Sequence, residues 1–256
     1  MDKLHHELLL VQIVNAIFGP VVRSIMEALG FHPEAGKDVI PDYIVMCVLI
    51  LVGLTVMSLV LRSRLSVESP GKLQLVLEDL VGAVQGLLRD LVGEKGLRYL
   101  PLVGSVGFFI LIANLMGLVP GLMAPTSNIN VTVGCAITVW VFYHLQGIKE
   151  QGLGAYLKHF AAPPGAPIFI APIMLPIELI SHLSRVLSLS LRLFGNIFGE
   201  ELVIVILFSI VPFLVPLPMM FLGIITATLQ AFIFVMLTMI YLGGAVAVEH
   251  GHEAHH

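Results

Sequence analysis

The sequence predicts an all-α, polytopic membrane protein with about five transmembrane helices and one amphipathic helix on the membrane surface. Of its 256 residues, 57% are hydrophobic and only 12% are charged, a balance typical of membrane proteins. Long uncharged stretches recur along the chain, and about 20 such residues are enough to cross a ~30 Å hydrocarbon layer. The lipid bilayer is therefore the expected surrounding of most of the chain.

Charge and cysteine usage exclude several other classes of protein. The formal net charge is -4, which provides no basic field to hold a nucleic-acid backbone, so nucleic acid is not expected as a partner. Cys47 and Cys135 both lie inside apolar runs and are expected to pack as small hydrophobic residues. No disulfide framework, metal cluster or cofactor is predicted. Lys3 is the only Lys or Arg before the first apolar stretch, and the N-terminus is not predicted to be a signal peptide.

The N-terminal region, residues 1–40, is predicted to be a membrane-surface or re-entrant segment. Its apolar stretch, residues 7–30, contains too many polar or helix-breaking residues for a comfortable span: Gln12, Asn15, Pro20, Arg23 and Glu27. Such a pattern is typical of an amphipathic segment. Residues 41–256 are predicted to form a single membrane domain.

Uncharged runs and polar turns define the elements of that domain. Tyr43 to Leu61 carry no charge, and apolar residues at helical spacing with charges on the other face then predict a surface helix over about 71–95. Polar turns at 124–130 and 211–218 divide the later apolar regions. The predicted spans are about 43–62, 99–122, 131–147, 168–210 and 218–247. The last two exceed the length of a perpendicular crossing, which predicts a long, strongly tilted hairpin.

The distribution of basic residues predicts the orientation of these spans. Of the 13 Lys and Arg residues, most lie in the loops after the first and third spans, whereas the turns at 124–130 and 211–218 contain none. Because cytoplasmic loops carry the excess of Lys and Arg, the N-terminus is predicted outside and the C-terminus in the cytoplasm.

Arg192 is the least expected residue of the apolar region. It lies within the run SLSLRLFGNIFGEELVIVIL, residues 188–207, where a charge at mid-bilayer costs ~2.5–3.5 kcal/mol and usually faces a bundle interior or a watered cavity. Arginine keeps its proton at any physiological pH, so it acts as a fixed positive charge and cannot carry protons. Its helical stripe also contains Glu178 and Arg185, spaced by seven, with Ser181 and Ser188 nearby. Asn196 and Gly199 continue the stripe, and Glu200 and Glu201 follow near the far end of the helix.

A fixed cation at this depth acts on any acid that approaches it. An acid in an apolar wall favours its neutral form, but an arginine at ~4 Å and an effective dielectric of ~20 favours ionisation by about 4 kcal/mol. The sequence supplies no second mid-membrane acid on an opposing span. The approaching carboxyl is therefore expected to belong to a partner.

The stretch LSLSLRLFGNIFGEEL resembles the signature of subunit a of the F-type ATP synthase, the stator beside the rotating c-ring. Four further stretches resemble that family in the same order, so the resemblance covers about residues 41–245: ESPGKLQLVLEDLVGAV, ANLMGLVPG, SNINVTVG and TLQAFIFVMLTMIYL. The resemblance implies a non-catalytic subunit of the bacterial cytoplasmic (inner) membrane, with the C-terminal hairpin packed against the c-ring. Peripheral-stalk subunits of the b type are further implied partners. H⁺ is the expected ion, and the sequence leaves Na⁺ open.

The resemblance also implies roles for single residues. Arg192 matches the essential arginine that separates two aqueous half-channels, and Gln230 matches the glutamine near it on the last helix. Asn196 and Glu201 match positions of the outer half-channel, and Glu178 and Ser181 match positions of the inner one. Many relatives have a titratable residue where this chain has Gly223, and Glu200 is the candidate to compensate.

Several alternatives stay open in the sequence. A secondary transporter would also hold charges at membrane depth, but no internal duplication is seen, and an arginine-gated anion channel would need a ring of positive groups. Arg185 could snorkel to the interface, and His144 and His182 are expected to pack or lie at the interface. Asn114 and Asn130 line an outer vestibule or serve in turns and packing. The tail EHGHEAHH, with His5 and His6, is expected to be solvated rather than metal-binding.

Overall fold

The computed structural model describes residues 9–30, 39–119, 122–156, 171–210 and 216–246. Within these ranges all regular secondary structure is helical. The long helices, in chain order, are α1 Leu9–Ala28, α2 Asp42–Arg64, α3 Lys72–Val92, α4 Leu100–Met116, α5 Ile129–Gln151, α6 Ala171–Ile210 and α7 Pro216–Val246. A 3-10 helix, Glu94–Tyr99, precedes α4, and another, Pro125–Ser127, precedes α5.

Six helices in the described ranges are long and apolar enough to cross a membrane. Five of them correspond to the predicted spans, which confirms the all-α polytopic fold. The sixth candidate is α1, over Leu10–Ala28, in the segment predicted to be surface or re-entrant. Its polar residues share one side of the helix, where Gln12, Asn15 and Arg23 help to line a cavity of about 540 Å³.

Two predicted boundaries differ from the helices observed. The span predicted over 99–122 ends at Met116, because the N–H groups of Leu118 and Val119 bond to Leu115 and Met116 in tight turns. The predicted surface helix does not continue to residue 95. It ends at Gly93, whose φ of 90° lies in a region that glycine adopts without steric cost.

The two longest helices lie in the regions of the last two predicted spans. The helices α6 and α7 contain 40 and 31 residues, and at 1.5 Å per residue α6 is ~60 Å long. Prolines at positions 216 and 218 suit the first turn of α7, where the backbone N–H groups have no intrahelical partner. Much of the predicted turn at 211–218 lies outside the described residues.

The chain divides into two compact units. The first unit contains Met1–Arg64, Phe109–Val131 and Gly195–Thr228, and the second contains Leu65–Phe108, Thr132–Phe194 and Leu229–His256. The division falls within four of the long helices, so neither unit is a separate stretch of chain. That residues 41–256 act as a single domain stays a prediction.

A buried apolar cluster holds the first unit together. Its members come from α1, α2 and the end of α4: Val11, Val45, Met46, Ile50, Ala113 and Met116. Beside this cluster, the Asn15 amide donates to the carbonyl of Ile40 at 3.0 Å and accepts its N–H at 3.0 Å. Because this partly buried amide pairs with both the N–H and the C=O group of Ile40, it fixes the start of α2 against α1.

An ion pair, a hydrogen bond and a close contact between helices stabilise the second unit. Arg98 pairs with Glu150 at 2.8 Å, and the Gln151 amide donates to the carbonyl of Ala245 at 2.9 Å, which ties α5 to α7. At Gly147, an added Cβ would lie 2.9 Å from that same carbonyl oxygen. Glycine at this position therefore lets two helices approach closely.

Candidate functional site

Arg192 lies on the exposed side of α6, near the middle of that apolar helix. Arg192 and Asn196, one turn apart, are both exposed, whereas Leu189, Leu193 and Ile197 are buried on the other side. Among the described residues, no carboxylate forms an ion pair with Arg192. The chain therefore presents this cation on an exposed side of an apolar helix, where a charge is costly in contact with lipid.

Gln230 occupies a different environment from Arg192 although the two residues are in the same unit. Its side chain, on α7, is only 2% exposed, and no hydrogen bond joins it to Arg192 in the described part of the chain. Gln230 is thus packed between helices, and its side chain does not pair directly with the arginine.

Glu201 is anchored in the first unit by the loop before α5. Its carboxylate accepts the N–H of Ala124 at 3.1 Å, and the carbonyl of the same Ala124 accepts from the Ser127 hydroxyl at 2.8 Å. Close approach is possible because an added Cβ at Gly117 would lie 3.1 Å from this carboxylate. The turn at 124–127 therefore positions an acid that the linear sequence places far away.

The carboxyl of Glu200 occupies the space that a side chain at position 223 would fill. A Cβ added to Gly223 would collide with the Oε1 atom of Glu200 and approach Leu118 to 2.8 Å. The other carboxyl oxygen of Glu200 is buried and has no hydrogen-bond partner in the described ranges. The carboxyl of Glu200 thus reaches the position at which the family resemblance leads us to expect a titratable group on α7.

Asn114 belongs to the same unit and is buried, with 3% exposure. Its amide oxygen accepts from the Thr126 hydroxyl at 2.8 Å, and its amide donates to the carbonyl of Ala227 at 3.4 Å. These two bonds join the end of α4 to α7 and to the short helix before α5. Asn130 is exposed in the first turn of α5, and its backbone N–H is accepted by Asn128.

Glu178 is part of a hydrogen-bonded chain in the second unit. His182 Nε2 lies 3.2 Å from the Glu178 carboxylate, and His182 Nδ1 lies 2.7 Å from the hydroxyl of Tyr143. The Glu178 side chain is 32% exposed and that of His182 is 8% exposed. His182 is packed, as expected, and it also contacts a candidate residue. In the described structure, the side chain of the half-buried Ser181 makes no hydrogen bond to Glu178, His182 or Tyr143.

A second hydrogen-bonded pair, His144 and Tyr156, lies against His182. His144 Nδ1 is 2.6 Å from the hydroxyl of Tyr156, and the rings of His144 and His182 are 4.8 Å apart. Burial raises the pKa of Tyr156 to about 12, so its hydroxyl keeps its proton near neutral pH. The sequence offers one signal for this cluster, because His182 follows Glu178 by one helical turn.

Metal binding receives no support from the described residues, which contain no group of three or more His, Cys, Asp or Glu side chains placed to hold an ion. His5, His6 and the histidine-rich tail lie outside those residues.

The fold and the site together define a helical membrane protein that presents a fixed cation and several partly buried acids at bilayer depth. Within that class, residues 43–243 match the family model of the ATP synthase A chain. The matched region covers most of the chain and includes Arg192, Gln230 and all the candidate acids. This chain belongs to the ATP synthase A chain family.

Individual relatives agree over nearly their whole length. The chain is 46% identical over 230 residues to an ATP synthase subunit a of Citrifermentans bemidjiense, covering 90% of this chain and 95% of the relative. It is 44% identical over 235 residues to ATP synthase subunit a 1 of Pelobacter propionicus, covering 91% and 98%. A subunit a of Geobacter sulfurreducens is 42% identical over 234 residues, again covering 91% and 98%.

Proposed function

We propose that this chain is the ion-translocating stator subunit of the membrane sector of an F-type ATP synthase, in which it couples proton flow to c-ring rotation and ATP synthesis. The observation that carries this proposal is the exposed Arg192 in the middle of α6, with no acid paired to it among the described residues. An outward-facing charge at that depth is costly in lipid, but it is stabilised opposite a carboxylate on a neighbouring rotor.

In this mechanism Asn196, Glu200 and Glu201 serve the outer side of the membrane. A proton passes along Asn196, Glu200 and Glu201 and neutralises a c-ring carboxylate, which then moves into lipid. Two observations support this role: Glu201 is anchored by the backbone N–H of Ala124, and one buried oxygen of Glu200 has no partner in the described structure. Such an oxygen can accept a proton or a water molecule without breaking an existing bond.

Glu178 and Ser181 serve the cytoplasmic side. After nearly a full turn of the ring, the carboxyl loses its proton toward Glu178 and Ser181, and Arg192 stabilises the ionised form while it blocks a direct leak. Gln230 is buried on α7. Each elementary charge that crosses 100 mV delivers about 2.3 kcal/mol, which the ring transmits as torque. The chain itself forms no covalent bond, so the subunit is non-catalytic.

The proposal includes partners and location. The c-ring faces the exposed side of α6, b-type peripheral-stalk subunits complete the stator, and the translocated ion is H⁺. The chain lies in the bacterial cytoplasmic (inner) membrane with its C-terminus in the cytoplasm. The rival transporter and anion-channel functions are not favoured, because the family match and the relatives point to the ATP synthase.

Replacement of Arg192 tests the proposal. In inside-out vesicles that carry the assembled complex, Arg192→Ala is expected to abolish ATP-driven proton pumping, because the ring carboxylate loses its fixed counter-charge. Arg64→Ala, at an exposed position at the end of α2, is the control and should pump like the wild type. Near-normal pumping by Arg192→Ala would refute the role assigned to this residue.

A further inference from the structure

The contacts of Glu178 extend into a line of hydrogen bonds that joins α6 to α5. His182 Nε2 lies 3.2 Å from the Glu178 carboxylate, and His182 Nδ1 lies 2.7 Å from the Tyr143 hydroxyl. On the same helix as His182, the guanidinium carbon of Arg185 lies 5.0 Å from the centre of the Tyr241 ring of α7.

The chemistry of the carboxylate gives this line a direction. An ionised carboxylate can only accept hydrogen bonds, so the contact with Glu178 requires the proton of the neutral imidazole on Nε2. Nδ1 is then an acceptor and the Tyr143 hydroxyl donates to it, because the bond at one ring nitrogen selects the tautomer at the other. The Nε2–H of His182 points at Glu178.

We propose that His182 is a positioning residue for Glu178: held in one tautomer by Tyr143, it donates Nε2–H to the carboxylate and keeps this acid in place to exchange protons. The inference rests on the proposed function, in which Glu178 handles the departing proton. It goes further by assigning a role to His182 and Tyr143, which the linear sequence assigns to packing or not at all.

The burial of these residues supports a positioning role for His182 rather than a contact that is fully exposed to water. Exposure falls from 32% at the Glu178 side chain to 8% at that of His182 and to 1% at Tyr143. Hydrogen bonds are stronger in such low-dielectric surroundings, and a connected network rigidifies its members. The carboxylate therefore meets water on one side and is fixed from the protein side.

Three substitutions of His182 separate positioning from packing. Gln has an amide N–H near the position of Nε2, Asn reaches only the position of Nδ1, and Leu removes both groups while it keeps the bulk. In vesicles with the assembled complex, His182→Leu and His182→Asn are expected to slow proton pumping per complex roughly tenfold, less than the ~100-fold of a positioned acid–base group because water partly replaces the ring. His182→Gln should retain most of the rate.

A double-mutant cycle with Glu178 adds a readout that a structural role would not change. If His182 acts through Glu178, then Glu178→Gln combined with His182→Leu should pump no more slowly than Glu178→Gln alone. Additive losses, or equal rates for the Gln and Asn variants at position 182, would overturn the positioning role.

Tyr143→Phe decides the matter if the variants at position 182 fail to assemble, because it removes one hydroxyl and keeps the ring. It is expected to slow pumping, whereas Tyr99→Phe, at a buried tyrosine of the same unit outside the line, should not. Equal rates for these two variants would also overturn the inference. Loss of pumping in Arg192→Ala together with unchanged His182 and Tyr143 variants would reject only this inference, while pumping by Arg192→Ala would reject the proposed function.

Discussion

Gly223 and Glu200 act as one feature although they lie on different helices. The absence of a Cβ at Gly223 leaves the space that one oxygen of Glu200 fills. Because that oxygen is the flexible end of a side chain, an added methyl group would displace the carboxyl rather than the backbone. The consequence of a substitution is therefore expected in proton handling more than in stability.

We predict that Gly223→Ala lowers ATP-driven proton pumping while it leaves assembly nearly unchanged. Overpacking typically costs ~1–3 kcal/mol, and movement of the Glu200 carboxyl relieves most of this strain. Gly104→Ala is the matched control, because a Cβ at Gly104 meets no atom within 4 Å. Pumping at the control rate by Gly223→Ala would show that the position of Glu200 does not matter.

Arg192 shows how far a single residue can be interpreted from its neighbours in sequence. Its depth in an apolar run predicts function, and the expected environment is a bundle interior or a watered cavity. The structure instead places Arg192 on an exposed side of α6. The expected environment and the observed position agree if a partner covers that side of α6. The sequence lacks an internal acid on an opposing span that could pair with the arginine.

The approach of α5 to α7 depends on a position without a side chain. At Gly147, an added Cβ would meet the backbone carbonyl of Ala245 at 2.9 Å and would also contact the Tyr156 ring. A backbone oxygen cannot move aside as the end of a flexible side chain does. This contact also lies beside the hydrogen bond from Gln151 to Ala245, so both would be disturbed together.

We therefore predict that Gly147→Ala destabilises the protein by about 1–3 kcal/mol. The check is the apparent melting temperature of the detergent-solubilised protein, which should fall. Gly134→Ala provides the comparison within α5, since a Cβ there meets no atom within 4 Å and alanine gains about 1 kcal/mol of helix propensity at both positions. A melting temperature as high for Gly147→Ala as for Gly134→Ala would contradict the close contact.

The orientation of the chain follows from its loops and does not depend on α1. Five crossings place the N-terminus outside, whereas a sixth crossing by α1 would move it to the cytoplasm. In both cases we expect the loop after α2 in the cytoplasm and the turn before α5 outside, because basic residues favour the cytoplasmic side.

Labelling with a membrane-impermeant maleimide tests this orientation in a background with Cys47→Ala and Cys135→Ala. Val67→Cys, at a residue that is 99% exposed in the loop after α2, should react only in inside-out vesicles. Asn130→Cys, exposed at the start of α5, should react only from the outside of intact cells. Reaction of Val67→Cys from the outside would reverse the proposed topology.

The linear pattern was sufficient for the fold class, the order of the helices and Arg192 as a residue of interest. Apolar run length decides whether a helix can cross a bilayer, and the charge of an arginine at depth needs no tertiary context to be unusual. Boundaries were less certain where single turns ended helices, as at Met116 and Gly93.

Contacts between distant segments were decided only by the tertiary structure. Hydrogen bonds join Tyr143 to His182 and Ala124 to Glu201, and the Glu200 carboxyl lies against Gly223. No local period brings these residues together. A helical period orders neighbours three or four positions apart, whereas the pairing of side chains on different helices depends on how those helices pack. Packing therefore completes the candidate site, of which the sequence identifies the charged residues.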